Sequence, residues 1–230
     1  MIGLVFTTRP VITGTHGVVA SGHYLASAIG LRTMQSGGNA VDAGVAMGFA
    51  LAVLEPHMNG IGGEVPILIW SSKEQRPVAI SGQGVASRRA TAEWFRGNGL
   101  KLIPGDGFLP ATVPGAFDGW VTALKLYGTM SLADVLRPAI ELAEKGFPMY
   151  GALHDSISAH AERFRSQWPT TAEVFLSGGR PPETGEVFTQ TAWADTFERV
   201  LDEEKRASAR GREAALQAAR DFFYKGEIAK

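Results

Sequence analysis

Hydrophobic and polar positions are most sharply sorted between Asn39 and Trp70. From Val41 to Leu54 almost every position is apolar or glycine, and no charge falls between Asp42 and Glu55. A helix apolar all round is expected to be buried on all sides. Asn39 is a good N-cap, and Asp42 follows three residues later near the positive end of that helix. Ala43, Gly44, Ala46, Gly48, Ala50 and Ala52 keep its surface thin, so neighbours can approach its backbone. Glu55-Pro56 stops it. Asn59-Gly60-Ile61-Gly62-Gly63 then predicts a tight turn into the short apolar run Pro66 to Trp70, which has strand length.

The same reading extends in both directions. Met1 to Gly17 reads as an irregular arm, Gly17 to Ser21 as a buried strand, and Tyr24 to Gln35 as a helix begun by Ser21 or His23 and ended by Ser36-Gly37-Gly38. Val65 to Ser71 and Pro77 to Ser81, joined by the polar loop Ser72 to Arg76, predict an antiparallel hairpin. Gly82-Gln83-Gly84 leaves it as a turn. Thr91 caps a short helix over Ala92 to Arg96, and Leu100 to Pro114 is a long loop of the kind that often carries function. Helices follow at Gly115 to Leu126, from the Ser131 cap to Gly146, and at Tyr150 to Gln167. Pro169 to Thr189 reads as loop, and Gln190 to Glu204 and Ala207 to Phe223 as the last helices. Strands early and helices late suit an α+β layered domain. A helical pattern resumes at Glu227-Ile228-Ala229, which leads us to expect a partial domain spanning residues 1–230.

Composition narrows the function classes. A net charge of -1 gives no global basic field for nucleic acid. The absence of cysteine excludes disulfides, a cysteine nucleophile and thiolate metal sites, and fits a reducing compartment. The N-terminus has no basic stretch ahead of an apolar core, so no signal peptide and a cytoplasmic location are expected. The Val41 to Leu54 run is too short to span a bilayer, so no membrane partner is expected.

Candidate chemistry is sparse. His154 and His160 lie six apart, off a shared helical face, and His16, His23 and His57 form no ligand pattern, so no metal site is expected. Gly60-Ile61-Gly62-Gly63 follows a helix and precedes a strand, the reverse of a phosphate loop. A GxSxG elbow is missing. The pairs Thr7-Thr8 and Thr170-Thr171 lack the context of a processed N-terminal nucleophile. Arg88-Arg89 reads either as a solvated loop or as an anion- or carboxylate-binding pair.

Several strings carry a resemblance. Phe6-Thr7-Thr8-Arg9-Pro10, Gly17 to Ser21, Gly37-Gly38-Asn39-Ala40-Val41-Asp42-Ala43, Gly60 to Gly63, Pro114-Gly115-Ala116, Tyr127-Gly128-Thr129, Leu136-Arg137-Pro138-Ala139 and Phe222-Phe223-Tyr224-Lys225-Gly226 occur in order. Together they resemble the γ-glutamyltranspeptidase (γ-glutamyltransferase) family, in the early part of its large subunit. The resemblance implies an N-terminal-nucleophile hydrolase, a four-layer αββα sandwich that is incomplete in this chain. It implies a precursor that cuts itself into large and small subunits, the new N-terminal threonine of the small subunit attacking a γ-glutamyl amide such as that of glutathione. It implies no cofactor. By this resemblance the catalytic nucleophile is not among these residues, the chain alone is inactive, and its partners are a small amide or peptide substrate and the small-subunit portion of the same precursor; a second copy is a further option.

One position departs from the family. After the second hairpin strand the family carries an arginine that pairs with the substrate α-carboxylate, and Gln83 stands there. Glutamine donates hydrogen bonds but cannot form the bidentate charged pair. This places the chain nearer the transferase-like amidohydrolases and acylases, with Arg88 or Arg89 as candidates to compensate. Three readings therefore follow: a γ-glutamyl enzyme, an amidohydrolase or acylase of other specificity, and a non-catalytic remnant or partner subunit.

Overall fold

The computed structural model describes residues 11–230. Helix α1 spans Tyr24–Gln35, with His23 as its N-cap, and α2 spans Ala40–Leu54. Strands β1 (Val65–Ser71) and β2 (Arg76–Gly82) form the expected hairpin, with Ile67 opposite Ile80 and Val65 opposite Gly82. Then come α3 (Ala92–Gly97), α4 (Ala116–Tyr127) and α5 (Leu132–Lys145). The rest comprises β3 (Phe147–Pro148), α6 (Gly151–Gln167), α7 (Pro169–Phe175), β4 (Val187–Phe188), α8 (Thr191–Ala207) and α9 (Arg212–Lys225).

Helix α2 is the central post. It packs on α1, α4 and α5; α5 packs on α8, α8 on α9, and α4 lies across the hairpin. The core is aromatic where four helices meet. Phe49 of α2, Phe117 of α4, Phe197 of α8 and Phe223 of α9 are all buried, with the Phe117 and Phe223 rings stacked at 4.5 Å.

Four expectations need correction. Gly17 to Ser21 forms no strand, and Val18 is 57% exposed. A strand needs a neighbour to take its N–H and C=O groups, and among the described residues the hairpin strands pair only with each other. The Pro169 to Thr189 loop contains α7 and β4. Pro169 is pre-set for the first turn of a helix, and Phe175 stacks on Phe188 at 5.7 Å, which supplies the tertiary anchor that local sequence lacks. The last helix starts at Arg212 rather than Ala207, because Gly211 sits at φ 94° and breaks the chain after a 3-10 turn over Ser208–Arg210. Finally, α2 is not covered all round: Ala40 and Gly44 are exposed, and Met47, Gly48 and Leu51 are only half-buried.

One buried carboxyl has a purely structural task. Glu204 of α8 accepts from Leu132 N (2.6 Å) and Ala133 N (2.8 Å), capping α5 from outside its own sequence. Burial pushes its pKa up, against the opposing pull of those two N–H groups. A raised folded pKa means the folded state holds the proton more tightly, so stability should fall as pH climbs above about 4.5 through the folded pKa. Glu204→Ala should cost roughly 2 kcal/mol and abolish that slope, read by urea titration across pH; an unchanged slope would remove Glu204 from this role.

Candidate functional site

The polar strings that interrupt the apolar pattern meet at two places. At the first, Asn39 Oδ1 accepts from Val41 N (2.8 Å) and Asp42 N (3.1 Å), while Asp42 Oδ2 accepts from Asn39 N (2.8 Å), so the cap closes reciprocally. Asp42 is fully buried and reaches further. It accepts from Thr129 N (2.9 Å), Thr129 Oγ1 (2.7 Å) and Met130 N (3.1 Å). Asn39 Nδ2 donates to Tyr127 O at 2.7 Å. A Cβ on Gly128 would stand 2.6 Å from Asp42 Oδ1, so only glycine lets the carboxyl in. Arg212 closes the far side, donating to Met130 O (2.8 Å) and Leu124 O (2.7 Å). Gly37 to Ala43 and Tyr127 to Thr129 are thus one hydrogen-bonded unit that locks α2 to the α4–α5 junction.

The second place is the N-terminus of α4. Gly115, its N-cap, offers no side chain, so the free N–H groups of the first turn find partners elsewhere. Gly63 O accepts from Gly115 N (2.9 Å) and Ala116 N (3.0 Å). The Tyr224 hydroxyl accepts from Asp118 N (3.0 Å) and donates to Pro114 O (2.8 Å). Burial raises the Tyr224 pKa, so the hydroxyl keeps its proton at neutral pH. Arg220 forms a two-pronged ion pair with Asp118, with Nη2 to Oδ2 at 3.0 Å. Three of the strings quoted above, Gly60 to Gly63, Pro114-Gly115-Ala116 and Phe222 to Gly226, converge here.

Gln83 lies on this second knot. A Cβ on Gly115 would stand 2.6 Å from Gly84 N and 2.8 Å from Gln83 C, and one on Gly84 would overlap Val113 O. Val113 N donates to Val85 O at 3.0 Å. The backbone on both sides of Gln83 is therefore pressed against residues 113–115, while the Gln83 side chain is exposed. Arg88 and Arg89 sit on a turn closed by Ala90 N to Ser87 O (2.9 Å), and both are exposed. Among the described residues no ion pair or hydrogen bond ties either guanidinium to Gln83. Sequence reasoning singled out Gln83 and did not link Tyr224 and Arg220 to Asp118, since nothing in local spacing joins residues 102 and 106 apart.

Three further candidates, His23, His154 and His160, have hydrogen-bond partners of their own. His23 Nδ1 accepts from Leu25 N (3.2 Å), and burial lowers the His23 pKa against the opposing pull of Glu55. His154 donates to Pro182 O and His160 to Ser156 O, each at 2.8 Å. Thr170 and Thr171 fall in the first turn of α7, and Thr7-Thr8, like the string Phe6 to Pro10, lies outside the described residues. Among the described residues no group of three or more His, Asp or Glu is placed to hold a metal ion. No helix among them is long and apolar enough to cross a membrane.

Between the uncovered stripe of α2 and strand β1 runs an open groove of about 1230 Å³, lined by Gly44, Gly48, Leu51, Leu68 and Trp70 among others. Leu68 and Trp70 are 77% and 64% exposed.

Comparison with known proteins matches this arrangement. The family model described as gamma-glutamyltranspeptidase covers residues 26–230. The glutathione hydrolase-like YwrD proenzyme of Bacillus subtilis (strain 168) is 36% identical over 220 residues, covering 95% of this chain and 38% of its own length. The oxamate amidohydrolase proenzyme of Klebsiella pneumoniae is 34% identical over 222 residues, covering 94% of this chain and 38% of the relative. The solved structure of LmbA2991HD superposes with a TM-score of 0.92 at 43% identity, over 97% of this chain and 38% of that one. The chain thus spans little more than a third of the length of these relatives. Its architecture is α+β, a partial N-terminal-nucleophile hydrolase sandwich. With nearly its full described length matched in sequence and in backbone, this chain belongs to the gamma-glutamyltranspeptidase family.

Proposed function

We propose that this chain is the early large-subunit region of a precursor that cleaves or transfers the acyl group of a small amide. Its acyl carrier is a threonine that becomes an N-terminus outside these residues, so the chain alone is inactive. The open groove between α2 and β1 supports that division: an apolar face this size, with Trp70 and Leu68 in it, suits cover by the rest of the precursor.

The observation that carries the substrate reading is Gln83. Its backbone is pinned at the end of β2 while its side chain is exposed, which leaves the amide accessible to a substrate. A glutamine there offers one amide dipole in place of a guanidinium fork. That favours an amide whose acyl part lacks the α-carboxylate of a γ-glutamyl group.

The test is Gln83→Arg in the full-length protein. The reading expects γ-glutamyl-p-nitroanilide turnover, as kcat/KM, to rise roughly 10- to 100-fold, because a charge-assisted pair contributes about 1.5–3 kcal/mol. No rise would take position 83 out of the substrate site.

A further inference from the structure

We propose that Tyr224 is a positioning residue for Gln83: its hydroxyl holds the crossing of residues 113–115 over the end of β2 and so sets where the Gln83 amide meets substrate. This rests on the reading of Gln83 given above. The hydroxyl oxygen joins Pro114, two residues before α4, through Pro114 O at 2.8 Å, to the third residue of that helix, through Asp118 N at 3.0 Å. The ring cannot drift, because Phe223 meets it edge-on at 4.9 Å and the Arg220 guanidinium lies 5.3 Å from its centroid. Arg220 is in turn fixed by Asp118, so α9 grips the start of α4 through two side chains one helical turn apart.

Movement at Pro114 bears on the backbone of Gln83 through the residues on either side of it. Gly115 lies against Gly84 N and Gln83 C with no room for a methyl group between them, and Val113 is bonded to Val85. Close-packed contacts of this kind transmit displacement instead of absorbing it. The Gln83 side chain is exposed, so the point from which its amide reaches toward substrate is set by its backbone, and its backbone by this crossing.

The test compares Tyr224→Phe, Gln83→Ala and the double variant in the full-length protein, with γ-glutamyl-p-nitroanilide and its decarboxy analogue 4-aminobutyryl-p-nitroanilide as probes. Phenylalanine keeps the ring and loses both hydrogen bonds. The proposal expects KM to rise roughly fivefold with kcat unchanged within twofold, as for about 1 kcal/mol of misplacement, and expects no such rise once Gln83 is alanine. If Gln83→Ala alters KM but Tyr224→Phe does not, or does so equally in both backgrounds, positioning by Tyr224 is overturned while the Gln83 reading stands. If Gln83→Ala leaves KM unchanged for both probes, the Gln83 reading fails and this proposal with it. A fall in melting temperature and in kcat at constant KM would reduce Tyr224 to a structural role. Should Tyr224→Phe fail to fold, Arg220→Gln, which frees Asp118 and leaves the hydroxyl in place, is expected to give the same split at smaller size; a change in kcat alone would overturn the proposal.

Discussion

Replacing Asp42 by alanine should cost about 3–5 kcal/mol of stability, read as a shift in urea midpoint at constant slope. The carboxyl is fully buried and accepts from Asn39 N, Thr129 N, Thr129 Oγ1 and Met130 N. Alanine leaves those donors facing a small void with no acceptor, and each buried N–H without a partner costs about 1–3 kcal/mol. Asp42→Asn keeps the volume but turns one oxygen into a donor aimed at other donors, so it should recover less than half of the loss. A loss below about 1 kcal/mol for the alanine variant would mean that water reaches the site and that the carboxyl is not the tie between α2 and the α4–α5 junction.

Phe117→Ala should be as severe, at about 3–5 kcal/mol, and for a different reason. Phe117 is fully buried and touches Phe49 of α2 (6.0 Å), Phe197 of α8 (5.8 Å) and Phe223 of α9 (4.5 Å) by ring centroid. Its removal opens a cavity where four rigid helices meet, and none can close it without breaking its own register. Phe117→Leu fills most of the space and should cost under about 1.5 kcal/mol. The variant should also loosen Tyr224, whose ring stands 6.3 Å from that of Phe117, so amide exchange at Asp118 should rise. Equal stability of the alanine and leucine variants would show that the cluster repacks.

The parts of this fold legible in the sequence are those set by contacts a few residues apart. The Asn39–Asp42 cap and the Ser131–Asp134 cap were readable because both partners of each bond lie within one turn. The β1–β2 hairpin was readable from two apolar runs and a short polar link. Helix α7 was not, since Ser177 to Pro182 dominates its neighbourhood and the Phe175–Phe188 stack that steadies it is tertiary. The uncovered stripe of α2 was also out of reach: hydrophobicity records that a face needs cover, and not which residues provide it. Position 83 came from resemblance alone, and the glycine contacts that pin it belong to residues about 30 positions downstream. The tie from Tyr224 spans 110 residues, beyond any periodicity.

That span has a consequence during synthesis. The segment carrying Gln83 leaves the ribosome well before Tyr224 has been translated, and no nearer residue supplies the hydroxyl that bridges Pro114 and Asp118. At about 5–20 residues per second the nascent chain passes on the order of ten seconds with the start of α4 held by Gly63 alone, and the corner is completed only when α9 is made.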